Sequence, residues 1–230
     1  MRSQALNSLD LSCSRPIRSR ICGAILLLIA TLGGTQSVQG QLRFSDTFEL
    51  KRFWSVFEQY GSVGLSSDVS RSGTMSLKLS SESGGQRYIW VEHTFATPWR
   101  GTLSVWFYDT APGSETLYVG LFANYSDPNG GFAVNVADWN SSHYVWGGPG
   151  VGESPTSVPR TIGWHEFKLR VATEGFDAFI DGILVGSIPG NFDFRDVRLQ
   201  LSGPIWRPNA TFYFDDFTFA PTKGARAIQD

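Results

Sequence analysis

VPRTIGWHEFKLRVATEGFDAFIDGILVG, residues Val158–Gly186, reads as three consecutive antiparallel strands. Across Trp164–Ala172, Phe167, Leu169 and Val171 alternate with Glu166, Lys168 and Arg170, the period of a strand with one buried face. Thr173-Glu174-Gly175 reverses the chain and Phe176–Ile180 returns. Asp181-Gly182 then supplies the positive-φ pair that a two-residue hairpin turn needs, and Ile183–Ile188 leaves as the third strand. Phe179 and Ile180 are adjacent and cannot both face one side of a regular strand, so a bulge or boundary is expected there. Thr211–Phe219, TFYFDDFTF, is a further aromatic strand carrying paired carboxylates.

The rest of the chain repeats this style. Alternating segments lie at Leu42–Leu50, Tyr60–Ser67, Met75–Ser81, Arg87–Phe95, Thr102–Asp109, Thr116–Asn124, Gly131–Ala137 and Asp196–Ser202. Twenty-five glycines, eight tryptophans and seventeen phenylalanines accompany them, and no 3.6-residue apolar stripe follows residue 40. The expected fold is all-β, a two-sheet antiparallel sandwich. Gly147–Arg160, with three prolines, reads as an irregular crossover or binding loop.

Residues 1–40 have the order of a secretory signal peptide. Arg15, Arg18 and Arg20 precede an apolar run, Ile21–Leu32, and Val38-Gln39-Gly40 offers a cleavage site before Gln41. Twelve apolar residues are short for a membrane span. Both cysteines, Cys13 and Cys22, fall in this segment, so residues 41–220 are expected to fold as one exported domain without a disulfide, followed by a flexible tail at 221–230. That places the protein outside the cell or in a periplasm, with no membrane attachment after cleavage. Downstream of residue 40, fifteen Lys and Arg face twenty Asp and Glu with no basic run, which argues against a nucleic-acid partner.

The "GWH" strand, the "xDG" hairpin and the closing "YFDDF" strand together resemble the concanavalin A-like lectin/glucanase superfamily. The resemblance spans Phe44–Phe219 and is weakest between Thr110 and Pro159. It implies a jelly-roll β-sandwich that holds a polysaccharide or glycoconjugate. A secreted, non-catalytic lectin-like module is the leading expectation. A glycan hydrolase or lyase and a structural or adhesive surface protein are the alternatives. The E-x-D-x-x-E string of family 16 glycoside hydrolases is absent, and so is the Gln-Ile-His or Gln-Val-His string of lyases with this fold, although Arg87, His143 and Tyr144 are present.

Strand parity suggests where a sugar would sit. Ile89, Val91, Leu103, Val105, Phe107, Leu117, Val119 and Leu121 mark an interior, and the opposite parity carries Tyr88, Trp90, Trp106, Tyr108 and Tyr118. If the strands are neighbours, those five rings form one aromatic platform. Trp139, Tyr144 and Trp146 would wall it, and Asn124, Asn135, Arg198 and Gln200 would meet hydroxyls. His165 and His93 share the parity of the interior.

The opening also resembles jelly-roll carbohydrate-binding modules with a structural calcium. Phe48-Glu49, Ser72-Gly73 through Ser76-Leu77-Lys78, and Asp215-Asp216 carry that likeness. It implies Glu49 and Asp216 as side-chain ligands and Lys78 as a carbonyl ligand, with Asp46 as a further candidate.

Overall fold

The computed structural model describes residues 44–50, 54–113, 117–123 and 131–222, all within the unit Gln41–Asp230. Residues 1–40, expected to be a signal peptide and holding Cys13 and Cys22, the expected cleavage position before Gln41, Asn124 and the tail beyond Thr222 lie outside the described residues.

Among the described residues, fifteen strands form two antiparallel sheets. They are β1 Phe44–Asp46, β2 Ser55–Gln59, β3 Gly61–Ser66, β4 Ser76–Ser81, β5 Arg87–Trp99, β6 Gly101–Asp109, β7 Tyr118–Ala123 and β8 Phe132–Ala137. There follow β9 Asn140–Gly148, β10 Val151–Pro159, β11 Gly163–Val171, β12 Gly175–Ile180, β13 Ile183–Pro189, β14 Phe194–Gly203 and β15 Thr211–Pro221. Sheet A runs β13-β12-β11-β6-β15-β4-β3, with β1 also paired to β15. Sheet B runs β10-β9-β8-β7-β14-β5-β2.

The stretch that decides the fold behaves as its pattern dictates. Phe167, Leu169 and Val171 of β11 are fully buried and lie opposite Ile180, Ala178 and Phe176 of β12. Asp181 and Gly182 both take positive φ at the hairpin turn. The register shift falls between Ala178 and Phe179, which leaves Phe179 half-buried and Ile180 in the core. His165 turns inward and its Nδ1 meets Asp181 Oδ2 at 2.7 Å, while Asp181 Oδ1 accepts the Glu166 amide. The "GWH" and "DG" motifs are therefore two ends of one contact that fastens the hairpin turn to the strand before it.

Rings join the sheets. Phe107 of β6 meets Tyr144 of β9, Phe132 of β8 stacks near Phe176 of β12, and Phe95 of β5 meets Phe219 of β15. A buried ion pair closes one end. The Arg160 guanidinium donates to both oxygens of Asp109 at 2.8 and 2.9 Å, and Tyr144 Oη adds a third donor.

The segment read as an irregular crossover is a strand. Val151–Pro159 pairs with β9 through two register shifts. It is the outermost strand of sheet B, so only one side needs ladder donors, and Pro155 and Pro159 are tolerated there.

Candidate functional site

The five platform rings do not share a face. Tyr88, Trp90 and Tyr118 lie on β5 and β7 of sheet B, while Trp106 and Tyr108 lie on β6 of sheet A. Parity identified the outward residues correctly, since Ile89, Val91, Leu103, Val105 and Phe107 are all fully buried. What it could not reveal is that the chain changes sheets between β5 and β6, which sends the two outward sets in opposite directions. Tyr144 and Trp146 do not wall the outer face. Both have the inward parity of β9: Tyr144 is in the core on Phe107 and Phe167, and Trp146 packs towards Phe176. Burial holds the Tyr144 phenol well above the ordinary tyrosine range. Trp139 remains at the surface, at the β8–β9 turn.

On sheet B one row of the outer face combines most of the polar candidates. Trp90 of β5 is opposite Gln200 of β14, Gln200 is opposite Gly120 of β7, and Gly120 is opposite Asn135 of β8. At the usual strand spacing the two amides are about 10 Å apart, with a glycine between them. A Cβ at Gly120 would come within 2.3 Å of the Val134 carbonyl, so this position stays without a side chain. Asn135 and Gln200 are both buried, yet Asn135 Oδ1 and Gln200 Oε1 have no hydrogen-bond partner. Their amide nitrogens are committed, Gln200 Nε2 to Ser202 Oγ and Asn135 Nδ2 to Val136 O and Glu153 Oε1. A buried acceptor without a donor costs about 1–3 kcal/mol.

The row is framed by rings and charge. Phe57 of β2 stacks on Trp90 at 4.2 Å, and the Arg198 guanidinium of β14 lies over the same indole at 4.9 Å. These two partners come from the strands on either side of β5, so Trp90 acts as a held wall and not as an open stacking surface. Arg198 also pairs with Glu92. Glu153 Oε2 accepts from the Trp139 indole at 3.0 Å, so one carboxylate links Asn135 to the exposed ring at the turn. Phe57 and Glu153 were missed in the sequence, Glu153 because it sits in the proline-rich segment.

Sheet A presents a different outer face. Trp164, Tyr108 and Tyr213 form a row across β11, β6 and β15. Arg71 lies 3.7 Å over Trp106 and pairs with Asp216 at 2.8 Å. Ser104, Glu166 and Lys168 bond in sequence, and Lys78 and Tyr213 both reach Asp68 Oδ2.

The calcium candidates all lie near this sheet, and Glu49 and Asp216 act on one loop. Glu49 Oε1 accepts the amides of Thr74 and Met75, and Oε2 accepts the Thr74 hydroxyl. These donors hold the Glu49 carboxyl below its ordinary range, the Met75 amide most. Asp216 accepts Ser72 Oγ and Arg71 Nη1. Asp215 takes the amides of Arg71, Ser72 and Asp216, while burial pushes its carboxyl up. Asp46 binds the Phe48 amide and the Trp54 indole. Lys78 stands apart in mid-strand, opposite Tyr213 and Gly64. Among the described residues no three carboxylates or histidines gather in a metal-holding group. As placed, the residues do not fit a calcium ion. The Arg71 guanidinium already supplies the positive charge at Asp216, and N–H and O–H donors occupy Glu49.

The three residues available for lyase chemistry are likewise dispersed. Arg87 is buried and donates to Glu82 O, Pro204 O, Arg207 O and Asn209 Oδ1. Tyr144 is in the core, and His143 shares its Nδ1 with Ser142 Oγ at the surface.

No family model and no curated protein matches the chain. Solved structures do match. The cellulose-induced protein Cip1 superposes with a TM-score of 0.61 at 16% identity, over 78% of this chain and 97% of its own. The Crh5 transglycosylase gives 0.57 at 14%, over 80% and 85%. A Bacillus licheniformis β-glucanase gives 0.55 at 10%, over 77% and 97%. The fold is the concanavalin A-like jelly roll. At these identities the likeness extends to the fold and not to the site residues.

Proposed function

We propose that the protein is an exported, non-catalytic carbohydrate-binding domain that takes an uncharged polysaccharide or glycoconjugate on the outer face of sheet B. The observation that carries this is the pair of unpartnered amide oxygens, Asn135 Oδ1 and Gln200 Oε1, on either side of Gly120. Two buried acceptors on one row of the sheet call for donors, and sugar hydroxyls are donors. The exposed rings Tyr88 and Trp139 at the end of the same face offer surfaces for the C–H side of a pyranose. That three structures of the same fold are named for cellulose induction, transglycosylation and β-glucan agrees with this reading.

The charges favour an uncharged chain. Arg198 faces Glu92 and Arg207 lies 3.7 Å from Asp138, so an anionic sugar would have to displace a carboxylate from each. Glu92 is committed to Arg198 and Glu153 to Asn135 and Trp139, which supports binding without cleavage.

The test is a screen of the purified protein against uncharged glycans (glucans, xylans, mannans, galactans) and against alginate and polygalacturonate, with reducing ends measured in the same wells. Retention of an uncharged glycan without product is expected, and Gln200→Leu should remove it. Release of reducing ends or unsaturated uronates would assign an enzyme instead. Silence on every glycan would leave a structural or adhesive role.

A further inference from the structure

Trp206 and Ile205 are the most exposed pair of large apolar neighbours between β14 and β15, at 76% and 52% of full exposure. Exposed loops are usually mobile, but this one is fastened from below. Buried Arg87 donates to the carbonyls of Pro204 and Arg207 at 2.7 and 3.0 Å and to Asn209 Oδ1 at 2.8 Å. The Arg207 amide closes the turn on Pro204 O, and Asn209 Nδ2 reaches Ser83 Oγ. None of these bonds uses the Trp206 side chain. The indole is presented by the loop and is not needed to build it.

The loop also joins the proposed sugar face. Arg207 Nη2 donates to Asp138 O at 2.9 Å, which places the loop against the β8–β9 turn. The next residue of that turn is Trp139, 48% exposed, and its indole is fixed on Glu153, which in turn holds Asn135. An unbroken series of bonds thus runs from the Trp206 loop to one of the two unpartnered amides. Trp90 cannot offer an open ring face because Phe57 and Arg198 flank it, so stacking on this side of the molecule falls to the rings that remain exposed.

We infer that the Pro204–Asn209 loop is a second sugar-contact element, in which Trp206 stacks on a ring of the glycan chain beyond the units that meet Asn135 and Gln200. The inference rests on the carbohydrate reading and deepens it: the ligand is a chain of several residues, and short oligosaccharides leave Trp206 unused. A rigid mount makes this contact cheap, because little conformational freedom is lost on binding.

The experiment compares the full chain with Trp206→Ala on uncharged oligosaccharides graded from trimers to octamers, by calorimetry, with melting temperature and sedimentation measured in parallel. The variant should melt with the parent, keep its affinity for trimers and lose about tenfold for octamers. Equal affinity of parent and variant for octamers would overturn the inference while leaving the carbohydrate reading intact. Loss of trimers and octamers alike would also overturn it, since Trp206 would then belong to the primary site. Absence of binding by the parent across the whole series would remove the carbohydrate reading and this inference with it. A parent dimer that Trp206→Ala converts to monomer, with unchanged affinity, would assign the loop to a second copy of the chain.

Discussion

On sheet A the Arg71 guanidinium lies over Trp106 and reaches Asp216; on sheet B the Arg198 guanidinium lies over Trp90 and reaches Glu92. The same device, a cation held between an indole and a carboxylate, appears on both outer faces. What surrounds it differs. Around Trp106 the carboxylates Asp215, Asp216 and Glu49 accept backbone amides and hydroxyls of residues 71–75 and bind that loop to the sheet. Around Trp90 the row ends in two buried amide oxygens with no donor. Among the described side chains, every buried oxygen left without a partner is on sheet B. A face whose polar groups satisfy one another contributes to stability, whereas unmet acceptors cost stability in the free protein and are repaid when a ligand supplies donors.

The largest expected effect breaks sheet A. Asp215→Ala leaves the amides of Arg71, Ser72 and Asp216 without their acceptor. A loss of about 2–4 kcal/mol is expected from urea unfolding, because each buried orphan donor costs about 1–3 kcal/mol and solvent reaches some of them. Glycan retention at low denaturant should be unchanged. A loss of binding at full folding would mean that the faces are not independent.

The mirror experiment is on sheet B. Gln200→Leu removes an unsatisfied oxygen from a buried site at the expense of one bond to Ser202 Oγ. Stability should stay within about 1 kcal/mol of the parent, in either direction, because the orphan's cost and the lost bond are of similar size. Binding should fall at least tenfold. Asn135→Leu should behave similarly in binding but lose more stability, since it also frees Glu153 from the row. A Gln200→Leu variant that binds as well as the parent would make the orphan oxygens a packing defect.

The strand patterns made the faces legible but not their neighbours. Alternation sorted Ile89 and Val91 from Tyr88 and Trp90, and Leu103 and Val105 from Trp106 and Tyr108, because burial of one face imposes a period of two on each strand. Alternation is a property of one strand. It carries nothing about which sheet a strand joins, and in a sandwich consecutive strands can belong to opposite layers. Hence β5 and β6, separated by Arg100 alone, present their rings to opposite sides. The hairpin at Asp181-Gly182 was legible because its turn is local. The pairing of Val151–Pro159 was hidden because proline statistics describe central strands, and this strand has a free edge. Trp206 left no pattern at all. It lies in a loop, and its importance depends on what Arg87, more than a hundred residues earlier, does beneath it.

Acid titration sharpens the comparison further. Glu49 is held below its ordinary range by the Met75 and Thr74 amides, so its contribution is present above the unfolded carboxylate pKa and lost as pH falls through the lowered folded value. Asp215 is raised by burial and acts in the opposite sense: its contribution is complete below the unfolded pKa and is lost as pH rises through the folded one. The stability difference between the parent and Glu49→Gln should therefore shrink as the solution is acidified below the ordinary carboxylate range. The difference between the parent and Asp215→Asn should move the other way across the window between the unfolded and the raised folded value. Parallel curves for both variants would show that the two carboxylates do not titrate as placed.

The smallest effect decides between a hydrogen-bonded clamp and a metal. If Glu49 and Asp216 bind the 71–75 loop through its own N–H, O–H and guanidinium groups, a chelator removes nothing and the melting temperature should not move. Arg71→Ala should then lower it modestly, because the cation over Trp106 and its bond to Asp216 are lost together, a loss of about 1–2 kcal/mol for an interaction at the protein surface. A calcium-bound fold makes the reverse pair of outcomes. Chelation would lower the melting temperature, and removing a competing guanidinium beside Asp216 would leave stability unchanged or raise it in calcium. The two measurements move in opposite directions under the two arrangements, so even a shift of a few degrees in either identifies what neutralises Asp216.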